Sequence, residues 1–327
     1  MSATEPSFRL GCFRKAGGPP FVGVVLNERV TPLSQLQAGY TSGTTMIDLL
    51  QDWSESMGRL KVSVARGLED GFPVKSLEAC APVPKAPQVF CTGTNYASHV
   101  VQMMIAVGLS PDTDAMNAEQ RRAYGEAYVA RQKVESSPYV FMKPSTAISG
   151  PNDPLVLPSY SAKSDWELEL GAVIGRPAYR VSRADALSYV AGYMVVNDMT
   201  ARDKVFRKDP GAFGPDWVAS KGAPGFLPTG PYLVPAEFIP DPYALRMQLW
   251  LNGETMQDDY TRNMTFDIAR QIEFVSTYAR MLPGDILCTG TPGGNGVTRG
   301  RFLRQGDLME AEIEGLGRQS VRCMQQQ

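Results

Sequence analysis

The chain has 327 residues, with 32 Lys and Arg against 34 Asp and Glu, 43% apolar residues and a formal charge of −2, an ordinary globular composition. The near balance of charge, with no Lys/Arg tract, removes the electrostatic footprint of nucleic-acid or anionic-membrane binding, and no stretch reaches the roughly 20 apolar residues of a membrane span. Five scattered cysteines without a CxxC pair read as neither a disulfide framework nor a zinc ribbon, and the single histidine, His99, excludes His-rich zinc sites, so acid/base chemistry rests on carboxylates, lysine or that one ring.

Met1 to Arg9 is polar, without an apolar core behind a basic start, and a cytoplasmic, reducing location is expected. Phe8 to Val30 alternates short β-prone runs around Gly17-Gly-Pro-Pro20, which predicts a hairpin with a long turn. Met46, Leu49, Leu50, Trp53, Met57, Leu60 and Val64 then fall at helical spacing, predicting one amphipathic helix of five turns. The prolines of Cys80 to Pro87 predict an extended linker, which divides a small N-terminal α/β domain, 1–85, from a second domain, 86–327. Short strands between Pro/Gly turns make that second domain mostly β, so the chain is read as α+β and predominantly β. Three helices interrupt it: one after Asn95-Tyr96, one over about Asn117 to Lys133, and one from Thr265 to Leu282 that stops at Pro283-Gly284.

The segment Ser164-Asp-Trp-Glu-Leu-Glu-Leu-Gly-Ala-Val-Ile174 is the most informative. In a strand, Glu167 and Glu169 share one face, about 7 Å apart at Cα, while Trp166, Leu168 and Leu170 share the other. The run that follows is apolar, so the strand enters a core where unpaired carboxylates are costly, and a hard divalent cation would neutralise them. A half-exposed edge strand with Glu on its wet face gives the same pattern, and spacing leaves both readings open. Asp198, which follows the apolar Tyr193-Met-Val-Val196, completes an all-oxygen triad suited to Mg²⁺ or Mn²⁺, or else caps a helix.

His99 sits where a strand passes through a Gly93 turn into a helix whose continuation places Gln102, Met103 and Ala106 on the same face, a position open to catalysis and to a structural role alike. Thr289-Gly-Thr-Pro-Gly-Gly-Asn-Gly296 follows a strand and offers backbone N–H groups to a small carboxylate; no helical pattern follows it and GxxxxGK[ST] is absent, so it is no nucleotide fingerprint. Lys221, between turn-forming prolines, is a charge available to an oxyanion or a solvated lysine.

Taken together, Gly93-Thr-Asn-Tyr-Ala-Ser-His99, Phe141-Met-Lys-Pro144, Asp165-Trp-Glu-Leu-Glu169, Gly192 to Asp203, Leu251-Asn-Gly-Glu254 with Gln257, and Leu282-Pro-Gly-Asp285 with Thr289-Gly-Thr-Pro292 closely resemble the fumarylacetoacetate hydrolase family over about 90–300. The resemblance implies a mixed β-roll catalytic domain behind a small N-terminal domain, assembled as a homodimer. It implies that Glu167, Glu169 and Asp198 hold Mg²⁺ or Mn²⁺ with a chelated 2-oxo acid. Arg202 and Lys221 would hold or polarise the oxo-acid group, Gln257 and Tyr96 would lie near the ligand, Thr291 would contact its carboxylate, and His99 would be the acid/base.

The activity this implies is hydrolysis of a C–C bond in an acylpyruvate-like or fumarylpyruvate-like 2,4-diketo acid. Water attack at C4 breaks C3–C4 and leaves an enolate, whose charge a divalent cation and Lys221 would stabilise. Oxaloacetate-type decarboxylation and ketonisation of a 2-hydroxy-dienoate share that enolate, and a non-catalytic 2-oxo acid binding protein is the alternative from another class. Gln102 stands where many members carry a glutamate; a neutral amide orients an imidazole without stabilising its positive charge. The segment 100–137 is longer than in minimal members and is expected to form a lid, with Tyr124 and Tyr128 narrowing the pocket, or a dimer contact.

Overall fold

Gly17-Gly-Pro-Pro20 turns the chain back on itself in the computed structural model, which describes residues 7–326 apart from 37, 69–70, 109–110 and 208–213, with backbone alone at Pro111. The polar N-terminal stretch thus lies mostly outside the described residues, and the 100–137 segment is described on either side of 109–110. Arg9–Arg14 pairs antiparallel with Phe21–Leu26, as the hairpin pattern predicts, and Arg29–Pro32, Phe72–Pro73 and Glu78–Cys80 extend these two into a five-stranded antiparallel sheet.

The predicted five-turn helix is broken in two, Met46–Gln51 and Trp53–Ala65. Between them Asp52 leaves the helical basin (φ −122°, ψ 47°), a conformation that short polar side chains tolerate because they compete for backbone hydrogen bonds. The apolar stripe survives the break: Met46, Leu49, Leu50, Met57, Leu60 and Val64 are buried. The proline-rich segment after Cys80 is irregular but packed, with Ala81, Val83 and Ala86 buried, and Leu10 exchanges two backbone hydrogen bonds with Leu233 of the later part of the chain.

A mixed six-stranded sheet carries the site. Its order is Val234–Pro235, Val190–Asn197, Leu168–Ile174, Ile286–Cys288, Val89–Gly93 and Tyr139–Met142, parallel only between Ile286–Cys288 and Val89–Gly93. Every residue of Leu168–Ile174 and Val190–Asn197 is buried, the signature of a sheet covered on both faces. A second five-stranded sheet, in the order Glu254–Tyr260, Arg246–Leu251, Leu308–Ile313, Gly317–Gln325 and Leu155–Leu157, belongs to the same continuous core. The chain is thus α+β and strand-rich, as expected.

The helices follow their predicted positions with one correction. Ala97–Val107 follows Tyr96, and Ala118–Glu135 starts at an Asn117–Gln120 capping box. The third spans only Ile268–Tyr278: Asp267 caps it, Ala279 turns extended (φ −130°, ψ 147°), and Leu282 falls off its face, 38% exposed. Among the described residues, no helix is long and apolar enough to cross a membrane.

Candidate metal and active site

Register brings the acids together. Leu168 pairs with Asn197, so Glu167 and Glu169 at the start of one strand meet Asp198 at the end of its antiparallel neighbour. One carboxylate oxygen from each lies within 4.8 Å of the others, and all three residues are buried. The edge-strand reading of the ExE pattern thereby fails, because neither glutamate is on a wet face.

Three cations surround them. Lys221 Nζ donates to Glu167 Oε2 at 2.7 Å and to Asp198 Oδ2; Lys143 Nζ donates to Asp198 Oδ1 at 2.7 Å and to the Met199 carbonyl at 3.1 Å. Arg202 spreads its fork over two acids, Nε to Asp165 Oδ2 at 2.7 Å and Nη2 to Glu167 Oε1 at 2.6 Å. Burial pushes the Glu167 carboxyl up, but Arg202, Lys221 and His99 outweigh it and hold the group well below the usual carboxylate range.

Glu169 stands apart from this pairing. It accepts from the Gly290 N–H at 2.7 Å and forms no ion pair with the three cations. Burial first, then the neighbouring Asp198, Cys288 and Glu167, raise its pKa well above normal. The described cluster holds four carboxylates, with Asp165 the fourth, against Lys143, Lys221 and Arg202. It is one positive charge short, and the acid left without a cation is one of the three that converge. An all-oxygen donor set with this deficit fits a hard divalent ion.

The acids form the floor of a cavity of about 250 Å³. His99, Arg202, Lys221 and Thr291 also line it, and its wall is apolar: Met103, Tyr139, Phe141, Val205, Phe206 and Trp217. Phe141 and Trp217 stack at 4.2 Å between centroids, and Lys221 Nζ lies 5.2 Å from the Phe141 centroid. His99 is buried on the helix Ala97–Val107; burial lowers its pKa to about 4 against the raising effect of Glu167, so its ring is neutral at neutral pH.

Other predicted residues sit elsewhere. Tyr96 is fully buried, donating to Met247 Sδ at 3.3 Å, and does not line the cavity. Gln102 is turned away from the cavity as well: its Oε1 accepts from Gly294 N–H at 2.7 Å and from the Thr298 hydroxyl at 3.4 Å, because a residue three positions on from His99 on this helix faces the glycine loop. Gln257 stands behind Thr291, donating to its Oγ1 at 2.9 Å and to the Pro292 carbonyl at 2.8 Å while accepting from Leu168 N–H. Among the described residues of 100–137, only Met103 reaches the cavity lining; Tyr124 and Tyr128 do not narrow it, since Ala118–Glu135 packs its Gly125 against Val101 instead.

The glycine loop also departs from its reading as an anion cradle. Its N–H groups serve acceptors of the protein: Gly290 binds Glu169, Gly293 the Ser98 hydroxyl, Gly294 Gln102, and Gly296 Asp165. A one-turn helix, Gly296–Arg299, follows after all, with the Asp165 carboxylate accepting from both Gly296 and Val297 N–H. Gly290 is indispensable there: its φ is +98°, and a Cβ would lie 2.5 Å from that of Asn95.

Lys143 and Asp165 are site residues that the residue-by-residue reading passed over. Asp165 had a signal, since it shares the strand parity of Glu167 and Glu169. Lys143 had a weaker one, a lone cation closing the apolar run Tyr139 to Met142 before Pro144.

Residues 88–323 match the model of the fumarylacetoacetate (FAA) hydrolase C-terminal domain. The chain is 33% identical over 275 residues to a mitochondrial oxaloacetate tautomerase of Rattus norvegicus, 84% of this chain and 77% of that protein. It is 42% identical over 189 residues to a 2,4-didehydro-3-deoxy-L-rhamnonate hydrolase of Sphingomonas sp. (strain SKA58), 57% of this chain and 65% of that protein. Among solved structures, a maleylpyruvate hydrolase from Sphingobium sp. SYK-6, in complex with manganese(II) and pyruvate, superimposes with a TM-score of 0.73 at 27% identity, covering 98% of this chain and all of that one.

Proposed function

The chain belongs to the fumarylacetoacetate hydrolase family, and on that premise we propose that it is a divalent-metal-dependent hydrolase that cleaves the C3–C4 bond of an acylpyruvate-like 2,4-diketo acid. The observation that carries this reading is the meeting of Glu167, Glu169 and Asp198 on the floor of a cavity that also presents Lys221, Arg202 and His99. Glu167, Glu169 and Asp198 would hold Mg²⁺ or Mn²⁺, which when bound supplies Lewis-acid polarisation of a 2-oxo carbonyl.

The chain's own groups account for the rest. The Thr291 hydroxyl accepts from Gln257 and keeps its proton to donate to the substrate carboxylate. Arg202, pinned between Asp165 and Glu167, presents a fixed positive charge to the oxo-acid end. Neutral His99 removes a proton from water as the oxygen attacks C4. The C3–C4 bond breaks, its electron pair passes to the enolate of pyruvate, and the acyl fragment leaves as a carboxylic acid. Lys221, charged because Asp198 and Glu167 outweigh the effect of burial, stabilises that enolate until C3 takes up the proton from His99. The apolar wall around Phe141 and Trp217 receives the acyl tail and excludes bulk water.

A second reading, keto–enol tautomerisation of a 2-oxo acid, is favoured by one observation: His99 Nδ1 has no hydrogen-bond partner among the described residues, so no carboxylate is hydrogen-bonded to that nitrogen to support the imidazolium during water attack. Tautomerisation needs only proton transfer between carbon and oxygen. Product analysis on protein loaded with Mg²⁺ or Mn²⁺ separates the two. Two acids formed from an acylpyruvate support hydrolysis; an unchanged mass with altered enol absorbance assigns tautomerisation; CO₂ from oxaloacetate without a second acid rejects both.

A further inference from the structure

His99 Nδ1 and Asn295 Oδ1 are both buried side-chain atoms without a hydrogen-bond partner. The two belong to facing elements: His99 to the helix Ala97–Val107, Asn295 to the cap of the one-turn helix Gly296–Arg299. The two elements pack together, with Gly293 and Gly294 N–H bound to Ser98 and Gln102 on either side of His99 in the sequence. The Asn295 side chain acts on the imidazole in the direction of a hydrogen-bond acceptor, raising its pKa against burial; catalytic contacts are commonly long before a ligand tightens the site. The amide's orientation is fixed by chemistry. Its Nδ2 donates to the Trp166 carbonyl at 2.7 Å, which only an NH₂ group can satisfy, so the other end turned toward His99 is necessarily the oxygen.

We infer that Asn295 is the positioning residue of His99: its Oδ1 accepts the Nδ1–H of the imidazole, fixes that tautomer, and leaves Nε2 as the basic nitrogen on the cavity side. The inference rests on the reading of His99 as the base. A ring nitrogen is a base only when its proton sits on the other nitrogen, and the partner of that proton sets which tautomer is present. Gln102, spent on Gly294, does not serve in this way. The anchor is rigid, because Trp166 is fully buried and its indole Nε1 donates to the Gly294 carbonyl at 3.1 Å, on the same loop as Asn295. Asn295 also differs from a carboxylate partner in kind: it sets the orientation of the ring without neutralising an imidazolium.

Because the chain holds a single histidine, ¹⁵N-histidine labelling of the full protein gives one ring pattern in a long-range ¹H–¹⁵N correlation spectrum, read at neutral pH with and without Mg²⁺. The expected pattern is a protonated Nδ1 and an unprotonated Nε2. Asn295→Leu should lose the Nδ1 proton to Nε2 or to an exchanging mixture, with kcat for a turned-over 2-oxo acid falling by up to about a hundredfold and KM little changed. Asn295→Asp keeps the acceptor while losing the bond to Trp166, and should keep the Nδ1 proton. A wild-type ring protonated on Nε2 alone, or a Leu variant that retains the Nδ1–H tautomer, overturns the assignment. Should the Leu variant fail to fold, the wild-type and Asp spectra still decide it. The spectrum needs no turnover, so its outcome is separate from that of the substrate reading.

Discussion

The floor of the cavity and its wall are built by opposite means. The floor is made of charge: Lys143, Lys221 and Arg202 each satisfy named carboxylate oxygens, and among the described residues of the floor only Glu169 lacks a paired cation. The wall is made of area: Phe141 stacked on Trp217, with Tyr139 tilted against Trp217 at 6.1 Å. Buried ion pairs gain strength only while every partner is present, so the floor is brittle. Aromatic contacts are graded by size and tolerate replacement at a cost that scales with the surface lost, so under the proposed function the wall is where selection among substrate tails would lie.

The comparison is broken most severely by removing an acid from the floor. Glu169→Ala or Glu167→Ala should abolish Mn²⁺ binding, measured by titration calorimetry, and lower turnover by about a thousandfold or more. Retained Mn²⁺ affinity in both variants would contradict the proposed ligand set. Lys143→Met leaves Asp198 one cation short and should cost about 3–5 kcal/mol of stability, seen as a lower urea midpoint; a loss within 1 kcal/mol would mean that the floor is less tightly coupled than the ion pairs indicate.

Asp285 sharpens the contrast as a buried carboxylate with no cation in its set of contacts. It accepts from Leu282 N–H and Gln88 Nε2, both at 2.7 Å, yet burial raises its pKa from 3.8 to about 6. The native state therefore binds this proton more tightly than the unfolded chain, and the associated stability is complete below about pH 4 and lost as pH rises through 6. Relative to wild type, Asp285→Asn should gain stability by roughly 2–3 kcal/mol between pH 4 and pH 7. Parallel stability curves for the two proteins would remove the case for a raised pKa.

The wall gives the smallest effect. Trp217→Ala should lower kcat/KM for long apolar acylpyruvates by about 1–2 kcal/mol in transition-state terms, with little effect on acetylpyruvate. An equal loss for both substrates would place the tail elsewhere.

Much of the floor is legible in the chain itself because the relevant rule is local. Strand parity puts Glu167 with Glu169, and the end of an apolar run places Asp198 at a sheet margin. Helical spacing likewise locates His99, and it predicts the buried stripe from Met46 to Val64 though not the break at Asp52. No local rule shows which long side chains reach a common point. Lys143 and Asp198 are 55 positions apart, Trp166 and Asn295 129 apart, and their meeting depends on sheet order.

Gln102, Tyr96 and Gln257 illustrate the same limit from the other side. Each belongs to a segment that adjoins the cavity, but a helix turn points Gln102 at Gly294, core packing takes Tyr96 to Met247, and two backbone carbonyl and amide partners hold Gln257 behind Thr291. Backbone amides of the glycine loop are spent in the same way, on acceptors such as Glu169 and Asp165 that come from another strand. Periodicity and residue type thus determined which acids share a face and where the one histidine enters a helix; the tertiary fold alone decided which polar groups remain free for a ligand, since most buried donors and acceptors are first claimed by whatever partner long-range packing brings to them.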